Sequence, residues 1–189
     1  MPPGEVPAVY LTFDDGPHPK ATPFVLEQLA QHGAKGTFFC IGRNVHSWPQ
    51  IYQRILDEGH TVANHTEEHL NGWKHENRVY LSNIVKAAKV IDSRLFRPPY
   101  GRIKISQAKR LSRARQPWKI YMWDVLSGDF DQSLSPEQCL RHVIDHIRPG
   151  SIVVFHDSAK AFERLKVALP GVLEFCKEKN WQVKALPKN

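Results

Sequence analysis

Short apolar strands alternate with helical stretches along this whole chain, and no other feature narrows its fold so far. Ala8 to Phe13, Gly36 to Ile41 and Ser151 to Phe155 are apolar at nearly consecutive positions rather than at every second one. A strand that reads this way is covered on both faces, the mark of a parallel sheet wrapped by helices. Further strands, at Thr61 to Asn64, just before Arg97, at Ile120 to Val125 and at Trp181 to Leu186, continue the series.

Helices are expected between them. Thr22-Pro23 reads as an N-cap followed by Pro at the first helical position, opening a helix to Gln31. Ser47-Trp48-Pro49-Gln50 and Ser135-Pro136-Glu137-Gln138 both carry the capping-box pattern and open helices to Glu58 and Ile147. Tyr80 to Ser93 has Leu81, Ile84, Val85, Ala88 and Ile91 at helical spacing, a basic helix lies within Arg102 to Lys119, and another helix runs from Ala161 to Lys177. About seven strand–helix units favour a barrel or incomplete barrel over an open sheet, although the pattern alone leaves both open. A length of 189 residues suits one domain spanning 1–189.

In either architecture chemistry gathers where strands end, and the strand ends here collect polar residues. Asp14 and Asp15 close the first strand within Thr12-Phe13-Asp14-Asp15-Gly16-Pro17. Adjacent carboxylates at the end of a buried strand repel unless a cation holds them, and a divalent metal would do so. His65 and His69 follow the Thr61 strand, and Arg97 with Pro98-Pro99-Tyr100-Gly101 follows the next. Asp129 lies beyond the Ile120 strand, with Asp124 and Asp131 nearby, and His156-Asp157 ends the Ser151 strand. The four-residue spacing of His65 and His69 predicts two imidazoles on one face of a helical turn. Two histidines and a carboxylate form a catalytic zinc set that leaves a position for water. Taken alone the spacing is a weak signal, because His142 and His146 repeat it. That second pair sits near a helix C-terminus, where histidine is favoured by the dipole, and reads as a surface feature. Asp157, His18, His46, His60 and His75 read as structural or peripheral.

Four of these segments together resemble the successive motifs of the polysaccharide deacetylases, carbohydrate esterase family 4. They are Thr12-Phe13-Asp14-Asp15-Gly16-Pro17, His65-Thr66-x-x-His69, Arg97-Pro98-Pro99-Tyr100-Gly101 and the late strand ending in His156. Their order and spacing match, and the resemblance runs from Ala8 to Leu186. It implies a distorted or incomplete (β/α) barrel of about seven parallel strands, and a metal-dependent hydrolase that removes acetyl groups from sugars. By the same resemblance Asp15, His65 and His69 ligate the metal, with Zn²⁺ expected and Co²⁺ as the alternative. Asp14 is the general base, Arg97 holds it, and the Tyr100 N–H faces the oxyanion. His156 is the general acid, oriented and charged by Asp129. Three departures stand out: Phe130 replaces the usual Trp after Asp129, Val154 replaces the frequent Leu before His156, and Glu67-Glu68 is unusually acidic. Phe130 and Val154, with Tyr100, lie where acetyl methyl and sugar would pack and so bear on substrate choice.

The expected activity is therefore N-deacetylation of an N-acetylhexosamine glycan such as peptidoglycan or chitin. An O-acetyl esterase acting on xylan, or a non-catalytic glycan-binding protein of the same fold, are the alternatives. Composition adds limits. Cys40, Cys139 and Cys176 are widely spaced and odd in number, against a disulfide framework or zinc–thiolate site. The formal charge of +7 draws heavily on Arg102, Lys104, Lys109, Arg110, Arg113, Arg115 and Lys119, a run with no acidic residue. With no nucleic-acid motif present, it reads as a solvated helix face with a weak attraction to anionic polymers. No apolar run nears the ~20 residues that span a bilayer. No signal peptide is visible, which implies a cytoplasmic protein, or an envelope or secreted one whose export segment was removed.

Overall fold

Alternation within each strand sorts this molecule into an inside and an outside. In the computed structural model, which describes residues 6–188, the first half runs β1 (Ala8–Asp14), α1 (Ala21–Gln31), β2 (Thr37–Cys40), α2 (Gly42–Ser47), α3 (Pro49–Asp57), β3 (Thr61–Asn64) and α4 (Asn77–Ala87). The second half runs β4 (Leu95–Phe96), α5 (Ile105–Ser112), β5 (Lys119–Ile120), β6 (Val125–Leu126), α6 (Pro136–Ile144), β7 (Ile152–His156), α7 (Phe162–Glu178) and β8 (Gln182–Val183). Seven parallel strands lie in the order β5-β4-β3-β2-β1-β7-β6, and β8 pairs with the lower part of β1. The sheet curls into an incomplete barrel, as expected from the strand–helix count.

Leu11, Phe13, Phe38, Val62, Val153 and Phe155 point outward into a core shared with Val25, Leu26 and Leu29 of α1 and Leu165, Leu169 and Val172 of α7. The intervening residues point inward. Phe39, Ala63, Leu95 and Leu186, with Tyr10, Tyr121 and Ile152, fill the barrel interior. Leu186 closes its lower mouth, since its N–H donates to Thr37 Oγ1 and its carbonyl accepts from Thr61 Oγ1. Inward alternation continues upward through Thr12 and Val154 to Asp14 and His156, which face each other in register across β1 and β7.

The expected continuous strand from Ile120 to Val125 is two short ones. Tyr121 N–H donates to Phe96 O beside β4, whereas Asp124 N–H donates to Ile152 O beside β7. Residues 121–124 thus cross from one sheet edge to the other, and a crossing chain cannot also pair along its length. Helix starts also differ from expectation. Thr22 does not cap α1; its hydroxyl accepts from the His18 N–H and donates to Asp157, while His18 Nδ1 accepts from the Lys20 and Ala21 N–H groups. Ser47 ends α2 by donating to Arg43 O, and Trp48 is the N-cap of α3. The Ser135 capping box forms as expected, with reciprocal bonds to Gln138. All three cysteines are buried thiols.

Candidate active site at the strand ends

Asp14, at the top of β1, is 3% exposed, and its Oδ1 accepts from Arg97 Nη1 at 2.7 Å. Arg97 follows β4, points into the barrel and is fully buried. Its Nη1 also donates to Thr12 Oγ1, and its Nε and Nη2 donate to the Tyr121 and Met122 carbonyls of the crossing segment. The guanidinium lies 4.0 Å over the Phe39 ring. Its planar fork is thereby fixed, and the carboxylate it carries is fixed with it.

Asp15 points to the other side of the same turn. Its Oδ1 is buried without a hydrogen-bond partner, although His69 Nε2 lies 3.1 Å away and His65 Nε2 3.7 Å away. Ligand atoms from Asp15, His65 and His69 all lie within 4.8 Å of one another, the one such cluster among the described residues. His65 Nδ1 is 2.8 Å from Arg97 O. A carbonyl only accepts, so Nδ1 carries the proton and Nε2 keeps a free lone pair facing Asp15. Burial pushes His65 down to about 4, against the pull of Asp14, so the ring is neutral at ordinary pH. Burial alone would raise the Asp15 carboxyl, but His69, His156 and His65 reverse this and hold it well below the usual carboxylate range. An ionised carboxylate, a neutral imidazole with its lone pair turned inward, and an orphaned buried oxygen together fit a divalent cation.

The loop carrying the two histidines is not a helical turn. Thr66 and His69 adopt left-handed conformations, with φ of 66° and 55°. Asp15 (φ 82°) and Tyr100 (φ 59°) do likewise, so four of the five non-glycine residues with positive φ among the described residues surround this one cluster. Such conformations cost about 1–3 kcal/mol each and persist only where neighbours enforce them. Here the Thr66 N–H donates to Asn64 Oδ1, and the Glu67 and Glu68 N–H groups both donate to Asn83 Oδ1 on α4. Glu67 is buried, with Lys86 Nζ at 3.1 Å, and a Cβ on Gly42 would overlap its carboxylate.

Across the site, His156 Nδ1 donates to Asp129 Oδ1 at 2.7 Å, and the His156 backbone N–H donates to Asp129 Oδ2. Burial would lower His156, but the Asp129 charge and hydrogen bond, with Asp15 and Asp14 behind them, push it up to about 9. Asp124 and Asp131 are elsewhere: Asp124 accepts from Ser151 and Ile152 at the lower end of β7, and Asp131 accepts from Ser133 in a turn. The Phe130 ring stands edge-on to His156, and the exposed Tyr100 ring lies over His69, its hydroxyl 3.2 Å from Nδ1. Val154 is 1% exposed and packs inside the barrel beneath His156, so it supports the floor instead of meeting solvent. A cavity of about 330 Å³ opens between Asp15, His69, Phe130 and Lys160. His142 and His146 are exposed on and beyond α6 and take no part in the cluster.

One residue was underrated from sequence. Asp157 is fully buried; its Oδ1 accepts from the Gly16 N–H at 3.0 Å and its Oδ2 from Thr22 Oγ1 at 2.5 Å, while its own N–H donates to Asp14 O. A Cβ on Gly16 would overlap its carboxylate. Asp157 therefore clamps the Asp14–Asp15 turn from the strand that carries His156. Burial raises its carboxyl to about 8, with the Asp15 charge adding to this and the Thr22 and Gly16 bonds opposing it.

Residues 2–116 match the profile of the polysaccharide deacetylase family. A peptidoglycan-N-acetylglucosamine deacetylase of Bacillus cereus is 35% identical over 156 residues, which cover 79% of this chain and 56% of that protein. A chitooligosaccharide deacetylase of Azorhizobium caulinodans is 33% identical over 157 residues, covering 79% of this chain and 73% of the relative. This chain thus spans little more than half the length of the first relative. The crystal structure of a peptidoglycan N-acetylglucosamine deacetylase in complex with 4-naphthalen-1-yl-N-oxidanyl-benzamide superposes with a TM-score of 0.89 at 32% identity, covering 95% of this chain and 86% of that one. With its strand-end cluster and these likenesses in agreement, the chain belongs to the polysaccharide deacetylase family.

Proposed function

We propose that this chain is a metal-dependent hydrolase that removes N-acetyl groups from an N-acetylhexosamine glycan of the peptidoglycan or chitin kind. One observation carries the reading. A metal-fitting cluster of Asp15, His65 and His69 lies between a carboxylate locked by Arg97 and an imidazole locked by Asp129. A divalent ion held there, Zn²⁺ or Co²⁺, would polarise the acetyl carbonyl and acidify a water.

The side chains supply the rest. Asp14 takes the proton from the attacking water, and Arg97 keeps its second oxygen, Oδ2, turned toward the cluster. The Tyr100 backbone N–H, in a left-handed turn beside His69, would stabilise the developing oxyanion, the role the family resemblance implies. His156 is protonated at neutral pH because of Asp129, and it donates that proton to the departing nitrogen. An amine is a poor leaving group without such a proton, which favours N-acetyl over O-acetyl substrates. Phe130 and Tyr100 flank the opening and supply apolar surface to the sugar.

Acetate release from an N-acetylglucosamine oligomer should vanish with a chelator and return with zinc or cobalt. Metal-loaded protein that releases no acetate from chitin, peptidoglycan or acetylated xylan fragments would sink the reading. Faster release from xylan would transfer it to O-acetyl esters.

A further inference from the structure

A second surface begins at the rim of the site and has no part in the chemistry above. Trp73 is 55% exposed, four residues beyond His69, and its Nε1–H donates to Ile103 O. The Arg102 guanidinium lies 4.1 Å over the Trp73 ring, and the Gly72 N–H donates to Arg102 O. Arg102 in turn stands two residues from Tyr100, whose hydroxyl meets His69. The histidine loop and the Tyr100 turn are thus sewn together, and the seam is an aromatic ring topped by a cation.

Behind it the positive charge continues along α5 and through the segment that leads to β5. Lys109, Arg110, Arg113, Arg115 and Lys119 are exposed, and Lys74 and Arg78 lie exposed on the neighbouring segment. Asn77 and Ser106 hydrogen-bond the first turn of α4 to the first turn of α5, so the two cationic segments adjoin. Glu76 is the single acidic residue in 71–89, and 102–119 has none. Among the described residues, none of Lys74, Arg78, Arg102, Lys109, Arg110, Arg113, Arg115 or Lys119 forms a salt bridge; the pairs that form lie elsewhere, at Arg43, Arg54, Lys86, Arg97, Arg141, Lys166 and Lys177. So many cations without a carboxylate partner on two adjoining segments repel each other at a cost in stability, and an anionic partner removes that cost.

We propose that Trp73, Arg102 and the cationic face of α5 form a docking surface for an anionic glycan strand, one carrying carboxylates on sugars flanking the acetylated unit under attack. The proposal rests on the glycan reading of the site and deepens it. Arg102, seated over the Trp73 ring, offers the planar donor fork that matches a carboxylate, and the ring surface it leaves exposed offers apolar contact to a sugar. Continuity with the Tyr100 rim, and not merely net charge, points to a glycan, since Trp73 and Arg102 are joined to the two loops that carry His69 and Tyr100.

Two oligomers of equal length would be compared, a neutral N-acetylglucosamine oligomer and one with carboxylate-bearing sugars alternating along it. Steady-state acetate release and calorimetric binding would both be measured at low and high salt, with duplex DNA as a competitor. At low salt the carboxylated oligomer should show a KM about tenfold below that of the neutral one, an advantage that shrinks as salt screens the face. The Arg102→Gln variant and the Lys109→Glu/Arg113→Glu variant should bring the two KM values together, while kcat ratios between the oligomers stay unaltered. Equal KM values in the unaltered protein, with turnover intact, would overturn the docking surface and leave the hydrolase standing. Salt-dependent, Arg102-dependent binding of the carboxylated oligomer without turnover would do the reverse. Tighter binding of DNA than of the carboxylated oligomer would overturn the glycan assignment.

Discussion

At the scale of single residues, the two adjacent aspartates divide the work by the direction each faces. Asp14 belongs to Arg97, and Asp15 belongs to the histidines. Asp14→Asn should therefore lower kcat by about 10²–10⁴, with metal content near normal by elemental analysis. Parallel loss of the metal would refute this division. His156 supplies a pH prediction. Its folded pKa of about 9 lies above the usual 6.5, so the protonated ring is favoured by folding. The associated stability is complete below 6.5 and is lost as pH rises through about 9, and the acid function declines over the same window. In Asp129→Asn the alkaline limb of the kcat profile should shift toward 6.5; an unmoved limb would exclude His156 as its source. Asp157→Ala leaves the buried Gly16 N–H and the Thr22 O–H without an acceptor, each costing about 1–3 kcal/mol, and urea unfolding should register the loss.

Elements explain what could be read from the chain and what could not. Strand ends were legible because adjacent carboxylates closing an apolar run demand a reason, which singled out Asp14 and Asp15, while position at other strand ends and the family motifs singled out His65, His69, Arg97 and His156. Asp157 was passed over because its partners, Gly16 and Thr22, lie 141 and 135 residues away. Helix α2 was missed: its six residues have no side-chain cap and too few turns for a periodicity. The histidine loop was misread as helical because a four-residue spacing carries no information on φ, and the left-handed bends at Thr66 and His69 depend on α4. Asn83 is the contact through which α4 acts, accepting two backbone N–H groups of that loop. Asn83→Ala should weaken metal binding by about 10–100-fold while leaving helix content unchanged. Competition with a chromophoric chelator would measure it, and unchanged affinity would show that the loop holds its shape without α4.

For the whole molecule, closure of the barrel is the governing fact. The edge strands β5 and β6 do not pair with each other, and the segment between them is bonded through Arg97 to Asp14 and Thr12 of β1. Removing one partner of such a buried ion pair costs about 3–5 kcal/mol. Arg97→Ala should show a drop of that size in urea unfolding as well as loss of turnover, and a stability within about 0.5 kcal/mol of the unaltered protein would mean that the crossing segment is held by other means. Because one guanidinium is both the keystone of the wall and the handle of the proton acceptor, chemistry and architecture share a point of failure. A descendant could exchange Asp14 for Asn, keep an oxygen for Arg97 to donate to and survive as a folded binder, but no descendant could discard the arginine as cheaply, so its persistence in a chain speaks for a standing barrel and not by itself for a working one.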